Sequence, residues 1–473
     1  HNRGEGSHYG GYWFAEINIK KLEIGLQGEV AGNGDGVAVL GGGLRPRGQA
    51  HGSQTHEDGR SIVTLSVYFP DEAIRQAVIA FNETNPDYYV ELLCGNKDMD
   101  TPSINRISAT DYWNQEMMEI FAGKGPDIFT KTLQTSYNSY IDKGVMEDLT
   151  PYIKRDLDPN DYLPSSLYAY ERHGKIYALE SGFSLNLSVG NREILGDRTG
   201  WSFTQMQKTM QENPQINIYQ NYYGDTGSFL SDYLTYGNPD YTDFATLRSC
   251  IEFDKNHPKR LSHDELIIPG ENVLVVNVVI SDPLDWADYE ALYGQTLTPV
   301  GFIDEQNTGV FHDGFGWSIN AASQQKEGAW TFLKFLLSEE YQRTYNTSRF
   351  SPLKSLLEEQ FNYYSTPQTG SYYDNTLQEM ITYQGHILME ASQAHMQQNG
   401  YWKDIYIECL TSEQIQLVRN LIDRSRPISS HLNTTLNDII MEEADAYFKD
   451  SHSLDDVMQN IENRVILYLE EQE

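Results

Sequence analysis

From Ser61 onward, short apolar runs alternate with segments whose apolar residues recur every three or four positions, and this alternation predicts strands and helices in turn. SIVTLSVYF reads as a strand. Pro70-Asp71-Glu72 then opens a helix, because proline lacks the N–H that a first turn leaves unpaired and carboxylates favour the positive end of the helix dipole. Ile74, Ala77, Val78 and Phe81 form its buried stripe, Asn85-Pro86 ends it, and YYVELLC supplies the next strand. A second helix begins near Asp111, with Trp113, Met117, Ile120 and Phe121 on one face. The stretch FAGKGPDIFT follows: Gly123 and Gly125 suit the left-handed backbone that closes a helix, Pro126 forbids continuation, and a strand starts at Asp127. Its glycines do not make a phosphate loop, which needs GxxxxGK and then Ser or Thr at the mouth of a helix. Strands alternating with helices predict a parallel sheet covered on both faces, an α/β fold.

Later segments continue the theme. GKIYALESGFSLNLSVGN is β-like but too long for one ordinary strand. ENVLVVNVVIS reads as a buried strand, and SQQKEGAWTFLKFLLSEEYQ as a deeply buried helix, apolar almost all round. Two amphipathic helices close the chain, one carrying Leu436, Ile440, Ala444 and Tyr447, the other Leu454, Val457, Ile461, Val465 and Tyr468. Residues 1–61 differ from the rest. Their GNGDG run and triple glycine lead into short strand-like pieces and a polar stretch, QAHGSQTHEDGR, which reads as a β-rich extension and linker, the remnant of a preceding β module.

Composition narrows the function. A chain of 473 residues ordinarily divides into more than one unit. With 34 Lys and Arg against 68 Asp and Glu, the formal net charge is −34, so nucleic acid and anionic membrane surfaces are poor partners. Cys94, Cys250 and Cys409 are odd in number and far apart, which fits neither a disulfide framework nor a CxxC metal site. No apolar run reaches the ~18 residues of a membrane span. If the protein is secreted, the chain starts after its signal, and any lipid-bearing cysteine is lost with it. The 32 tyrosines supply stacking faces with hydroxyls attached, suited to binding sugars or peptides, and equally to packing a core.

Four stretches stand in order along the chain: AFNETNP, IFAGKGPDIF, HGKIYALESGFSLNLSVGN, and GWSINAASQQKEGAWTFLKFLLSEEYQ with SPLKSLLEEQ. Together they resemble the bacterial extracellular solute-binding proteins that deliver carbohydrate to ABC importers, the family (family 1) that includes maltose-binding protein. The tail EEADAYFKDSHSLDDVMQNIENRV is similar to larger members from gut Firmicutes. The resemblance implies a two-lobed, periplasmic-binding-protein-like (type II) fold with hinge crossovers. One lobe would comprise residues 62–180 with 314–350, the other 183–312 with 352–473. The crossovers would lie near Glu180 to Phe183, Asp313 to Phe315 and Phe350 to Pro352. It also implies a non-enzymatic, monomeric protein without cofactor or metal, held outside the cell as a lipoprotein, with a carbohydrate ligand and a membrane permease as partners.

Ligands of open α/β sheets sit beyond the carboxyl ends of the strands. With the implied crossovers, that rule selects Tyr68 and Phe69 after the first strand, Thr130, Lys131 and Gln134 after the third, and Phe183 and Ser184 past the first crossover. In the second lobe it selects Tyr222, Tyr223 and Asp225 from NYYGD, and Ser281 and Asp282 after VLVVNVVI; Phe315 and Trp317 flank the second crossover. Sugars pack their C–H faces on aromatic rings and fix their hydroxyls with placed donors and acceptors. Tyr68, Phe183, Tyr222 and Tyr223 would be platforms, and Lys131, Ser184, Asp225 and Asp282 polar partners. The competing reading makes Phe183 and Phe315 hinge packing and Trp113 core, and Tyr401-Trp402 is a further loop pair with two readings, one reaching the cleft from the C-terminal helices and one not. A ligand-sensing or peptide-binding module on the same fold remains an alternative. So does a glycoside hydrolase, which needs two carboxylates ~5–10 Å apart, but no GxSxG, HExxH or paired-carboxylate motif stands out.

Overall fold

A computed structural model describes residues 44–46, 55–68, 70–95, 109–130, 137–217, 228–237, 239–256, 267–305, 309–346, 348–374, 379–427 and 433–472. These belong to one unit running from Leu44 to the C-terminus. Most of the expected extension over residues 1–61 lies outside the described residues.

Nine strands build the central sheet: β1 Leu44–Pro46, β2 Ser61–Val67, β3 Tyr88–Cys94, β4 Ile128–Thr130, β5 Leu179–Asn191, β6 Val275–Ile280, β7 Leu297–Thr298, β8 Phe311–Ile319 and β9 Arg426–Pro427. Their order is β1-β3-β2-β4-β8-β5-β6, with β9 on β8 and β7 on β5. The expected parallel arrangement holds from β1 to β4, where β1 and β2 run parallel to β3 and β2 parallel to β4. It fails beyond, because β8 is antiparallel to both β4 and β5, and β5 is antiparallel to β6. The sheet is therefore mixed.

β5 is a single strand of 13 residues. That length, excessive for one ordinary strand, arises because its start packs with the first half of the sheet and its end with the second. Leu179 lies in a core with Val63, Leu65, Ile128, Trp317 and Trp330, whereas Leu185, Leu187 and Val189 lie in another with Val276, Val278 and Trp286. A third core, around Trp201, Phe229 and Tyr233, is closed by the two C-terminal helices, Thr434–Phe448 and Leu454–Gln472.

Local chemistry explains the elements that position the sheet. Asp71 caps helix α1, Glu72–Thr84, by accepting from the Ile74 N–H at 2.8 Å, and the predicted stripe is the buried one. Helix α2, Ala109–Phe121, is rotated by one residue from expectation: Tyr112, Glu116 and Ile120 are buried, while Trp113, Met117 and Phe121 are half-buried. The Tyr112 hydroxyl decides this, since it meets Ser66 Oγ at 2.5 Å and donates to Val67 O at 3.0 Å. After α2, Gly123 has φ +70° as expected of a helix terminator, but Gly125 serves a different purpose, because a Cβ there would lie 2.5 Å from Ile120 Cγ1. Asp127 then accepts from the Thr64 N–H, the Thr64 hydroxyl and the Ser323 hydroxyl at 2.6–2.8 Å, so the turn is a structural clamp. The helix expected over SQQKEGAWTFLKFLLSEEYQ is two, Lys326–Leu336 and Glu339–Thr344, divided at Ser338, whose hydroxyl caps the second.

Candidate functional site

Three chain segments meet side by side where the two halves of the sheet join. Phe183 of β5 pairs with Gly314 of β8 and exchanges backbone hydrogen bonds with Phe350, at 3.1 and 2.9 Å. The register shifts between Gly314 and Gly316, a bulge that bends β8 at the junction. Gln342 ties the segments from behind: its Nε2 donates to Ser181 O at 2.6 Å, and its Oε1 accepts from Ser351 Oγ at 2.8 Å.

The junction also holds a buried chain of polar groups. Glu180 Oε2 meets His312 Nδ1 at 3.0 Å, and His312 Nε2 meets Ser425 Oγ at 2.6 Å. Carboxylate, imidazole and hydroxyl in line are the parts of a nucleophilic triad. The hydroxyl, however, has one proton, and it lies 2.6 Å from Ile422 O, which can only accept. Ser425 donates there, so His312 Nε2 must donate to Ser425, and His312 is no base toward it. With the Glu180 and His312 side chains wholly buried, the arrangement acts as a clasp between strands.

Beyond the junction, β5 and β6 have unlike faces. Phe183, Leu185, Leu187 and Val189, with Val276, Val278 and Ile280, turn to the core. The alternate positions are Ser184, Asn186 and Ser188 on β5 and Asn277 and Val279 on β6, with Ser281 just past its end. Asn277 is exposed in the middle of its strand; Asn186, Val279 and Ser281 are half-buried. Ser184 Oγ meets Ser281 Oγ at 2.9 Å, and Ser188 Oγ donates to Asn277 Oδ1 at 2.7 Å. Asn186 pairs with Val279 and Ser188 with Asn277, so the two carboxamides are diagonal neighbours, roughly 7–8 Å apart at Cα. Aromatic rings border this face: Tyr236 stacks on Phe302 at 3.8 Å, and both contact Phe311, the residue paired with Asn186. A small pocket of about 20 Å³ opens here, lined by Ser188, Asn277, Asp232, Trp201, Tyr233 and Phe302 among others.

Several residues singled out from the sequence are elsewhere. Phe183 is completely buried between His312, at 4.5 Å, and Phe350, at 5.5 Å, and therefore offers a ligand no face. Trp317 is likewise core, its Nε1 donating to Ser181 Oγ at 2.9 Å. Thr130 is buried opposite Trp317, and its Oγ1 has no hydrogen-bond partner among the described residues. Asp282 is half-buried and committed to a turn, accepting from the Leu284 N–H at 2.8 Å; burial, and then the charges of Asp282 and Asp285, push the Tyr364 phenol well up. Ser184 and Ser281 do lie together, Ser184 buried and Ser281 half-buried. Tyr68 is half-buried against Tyr112 and Trp113, in the other half of the sheet. Phe69, Lys131, Gln134, Tyr222, Tyr223 and Asp225 lie outside the described residues, as does the side chain of Phe315, whose backbone sits at the bulge. Among the described residues no group of three or more His, Cys, Asp or Glu is arranged to hold a metal.

No protein-family model and no curated protein matches this chain. Solved structures similar to it include an ABC substrate-binding protein and sugar-binding proteins. One is the sugar-binding protein MalE of Xanthomonas citri, 13% identical, covering 87% of this chain and 100% of that one with a TM-score of 0.49. Another is the ABC substrate-binding protein Lmo0181 of Listeria monocytogenes in complex with cycloalternan, 14% identical, covering 87% and 99% with a TM-score of 0.47. A third is the maltose/maltodextrin-binding domain MalE of Bdellovibrio bacteriovorus bound to maltotriose, 10% identical, covering 86% and 100% with a TM-score of 0.47.

Asn186, Asn277, Tyr236 and Phe302 are the residues that the sequence reading passed over. The signal for the first two was present. FSLNLSV alternates strictly between apolar and polar, which marks a half-open strand, and Asn277 is a lone amide in the valine run VVNVVI. Tyr236 and Phe302 carried no such mark, since only the tertiary fold brings them to one place.

Proposed function

We propose that this is a non-enzymatic extracellular binding protein whose two lobes close over a sugar or oligosaccharide and deliver it to the permease of an ABC importer. The lobes are residues 62–180 with 314–350 and residues 183–312 with 352–473, and the protein works as a lipid-anchored monomer. The supporting observation is the three-segment junction at Phe183, Gly314 and Phe350, where continuous strands pass from one core to another beside an open polar face. Such a junction bends with few contacts to remake, and ligand contacts that exist from both sides only when closed shift the population toward closure. Ser184 and Ser281 with the Asn186 and Asn277 amides supply hydroxyl partners. In this reading Tyr68 would add an aromatic face from the other lobe, and Tyr222, Tyr223, Asp225, Phe69, Lys131, Gln134 and Phe315 would complete the site. Among the described residues no helix is long and apolar enough to cross a membrane.

A thermal-shift screen against mono- and oligosaccharides, with amino acids and short peptides as controls, tests the reading. Ligand at a hundredfold its Kd stabilises by about 2.7 kcal/mol, a rise of a few degrees in Tm for a chain of this size. A peptide response with silence from every saccharide would reject the carbohydrate assignment.

A further inference from the structure

Helix Met389–Asn399 ends at Gly400, whose φ of +75° and N–H bond to Met396 O at 2.8 Å turn the chain out of the last helical turn. The loop that follows carries Tyr401 and Trp402, 60% and 49% exposed. Both rings are held. The Trp402 indole donates to Asp404 Oδ1 at 2.5 Å, and the Tyr406 hydroxyl donates to Oδ2 of the same carboxylate at 2.9 Å. Tyr406 in turn packs on Tyr383 at 5.3 Å, and Tyr401 meets His395 edge-on at 5.0 Å. Next to Asp404, the Ile405 N–H donates to Ser392 Oγ at 2.9 Å and its carbonyl accepts from the Leu388 N–H at 2.8 Å, which ties the loop to the foot of the helix.

These contacts spend the polar edge of Trp402 inside the protein and leave an apolar face in water. An exposed ring is by itself ordinary, but a ring fixed in one pose has already lost the freedom that binding would remove. A protein partner needs roughly 800 Å² a side around an apolar centre, whereas the sequence neighbours here are Gln397, Gln398, Asn399 and Lys403, all exposed. Lys403, which is in no ion pair among the described residues, disfavours a cationic ligand. A pyranose, with a C–H face to stack and hydroxyls for polar surroundings, matches a fixed ring in a polar loop.

The loop is also remote from the polar face of β5 and β6. Helix Asp285–Tyr293 places Trp286 in the core beneath those strands, and its Ala287 and Ala291 pack with Leu388 and Ala391. Asp288 accepts from the Glu390 and Ala391 N–H groups at 2.9 and 3.0 Å. Helix Met389–Asn399 is thus a second layer behind the buried side of the sheet.

We infer that Trp402, held by Asp404, is a surface platform on which a saccharide chain stacks, a second carbohydrate site distinct from the one at the junction. It stands on the loop's own geometry and does not need the junction to bind sugar.

Affinity electrophoresis through native gels containing soluble starch, barley β-glucan or galactomannan suits a weak site, because a polymer presents its units at high local concentration. At least one polymer should slow wild type about twofold or more. Trp402→Ala should run as in a polymer-free gel, Trp402→Phe should keep part of the retardation, and Asp404→Ala should weaken it severalfold by releasing the ring. No retardation by any of the three polymers, or equal retardation of wild type and Trp402→Ala, overturns the inference. Acrylamide quenching reports the ring directly. Trp201, Trp286, Trp317 and Trp330 are buried, and the quenching lost in Trp402→Phe is that of Trp402. The retarding polymer should cut this component about twofold, and no change would overturn the inference. Failure of the sugar-capture reading shows separately, as the absence of any thermal shift with small saccharides. Where wild type does show such a shift, Trp402→Ala should keep it; its loss would place Trp402 in the cleft and overturn the second site. A dimer in sedimentation that Trp402→Ala dissolves would make another copy the occupant, with the same result.

Discussion

The two halves of the sheet treat polar residues in opposite ways. In β2, buried for most of its length, Thr64 and Ser66 are inside and fully occupied: Thr64 bonds Asp127 at 2.8 Å and Ser66 meets the Tyr112 hydroxyl at 2.5 Å. In β5 and β6 the polar residues alternate on one face, and the amide nitrogens of Asn186 and Asn277 are left without partners among the described residues. A polar strand residue whose bonding groups are all spent holds the fold together; one whose groups are unspent, and open to solvent, is available to something else. On that criterion the second half of the sheet carries the open polar groups that the proposed function would use, whereas the polar groups of β2 in the first half are spent on the fold.

The severest way to break the comparison is at the clasp where the halves meet. His312→Ala should cost roughly 3–5 kcal/mol, because it leaves the Glu180 carboxylate buried without its partner. Urea unfolding measures this, and Glu180→Gln combined with His312→Ala should recover part of the loss by removing the orphaned charge. A loss under 1 kcal/mol in the single variant would mean that water reaches Glu180 and that the junction is not sealed.

A direct comparison of the faces comes next. Leu65 is fully buried in β2, and truncation to Ala should cost roughly 2–5 kcal/mol; Val279 stands half-exposed on the open face of β6, and the same truncation should cost under about 1 kcal/mol. Equal costs would show that the open face is covered after all.

Alkali tests whether the two halves are equally firm. Burial pushes Tyr162, in the first core, and Tyr241, beside the C-terminal helices, each up to about 12. A folded pKa above the unfolded value of 10 gives stability that is complete below pH 10 and lost as pH rises through 12. Each phenol contributes about 2–3 kcal/mol by this route. Tyr162→Phe and Tyr241→Phe should each flatten the alkaline limb of the stability curve, and an effect from only one would place the alkaline weakness in that half alone.

How much of this the sequence disclosed depended on whether the deciding contact was local. The α1 cap at Asp71 and the two C-terminal stripes were legible because capping and helical periodicity act within a few residues. Rotation of α2 was not, because Tyr112 is drawn in by Ser66 and Val67, over forty positions away. Proximity to the junction selected Phe183 and Trp317 as ligand-binding residues, yet both pack in the core. The open face itself was written in FSLNLSV as a period of two, whereas its aromatic border depends on Tyr236, Phe302 and Phe311 meeting from three separate elements.

The smallest expected effect concerns the scaffold half alone. Hydrogen bonds from Arg155 and from the Trp330 indole, the latter 2.6 Å from Oδ2, bring the Asp156 carboxyl down to about 2. A folded pKa below the unfolded value of 3.8 gives stability that is present above pH 3.8 and lost as pH falls through 2. Asp156 lies near the surface, where solvent screens the charge, so the contribution is modest. Trp330 is nonetheless deeply buried beside helix α1 and strand β2, and its indole proton has one acceptor. Its fluorescence should therefore shift as pH falls through about 2 while the Asn277 amide signal of the other half stays unmoved. Asp156→Asn keeps an oxygen for the indole but removes the charge, and should abolish that acid transition. Simultaneous movement of both signals would mean that the halves do not respond independently, and that the junction at Phe183 transmits strain from scaffold to recognition face.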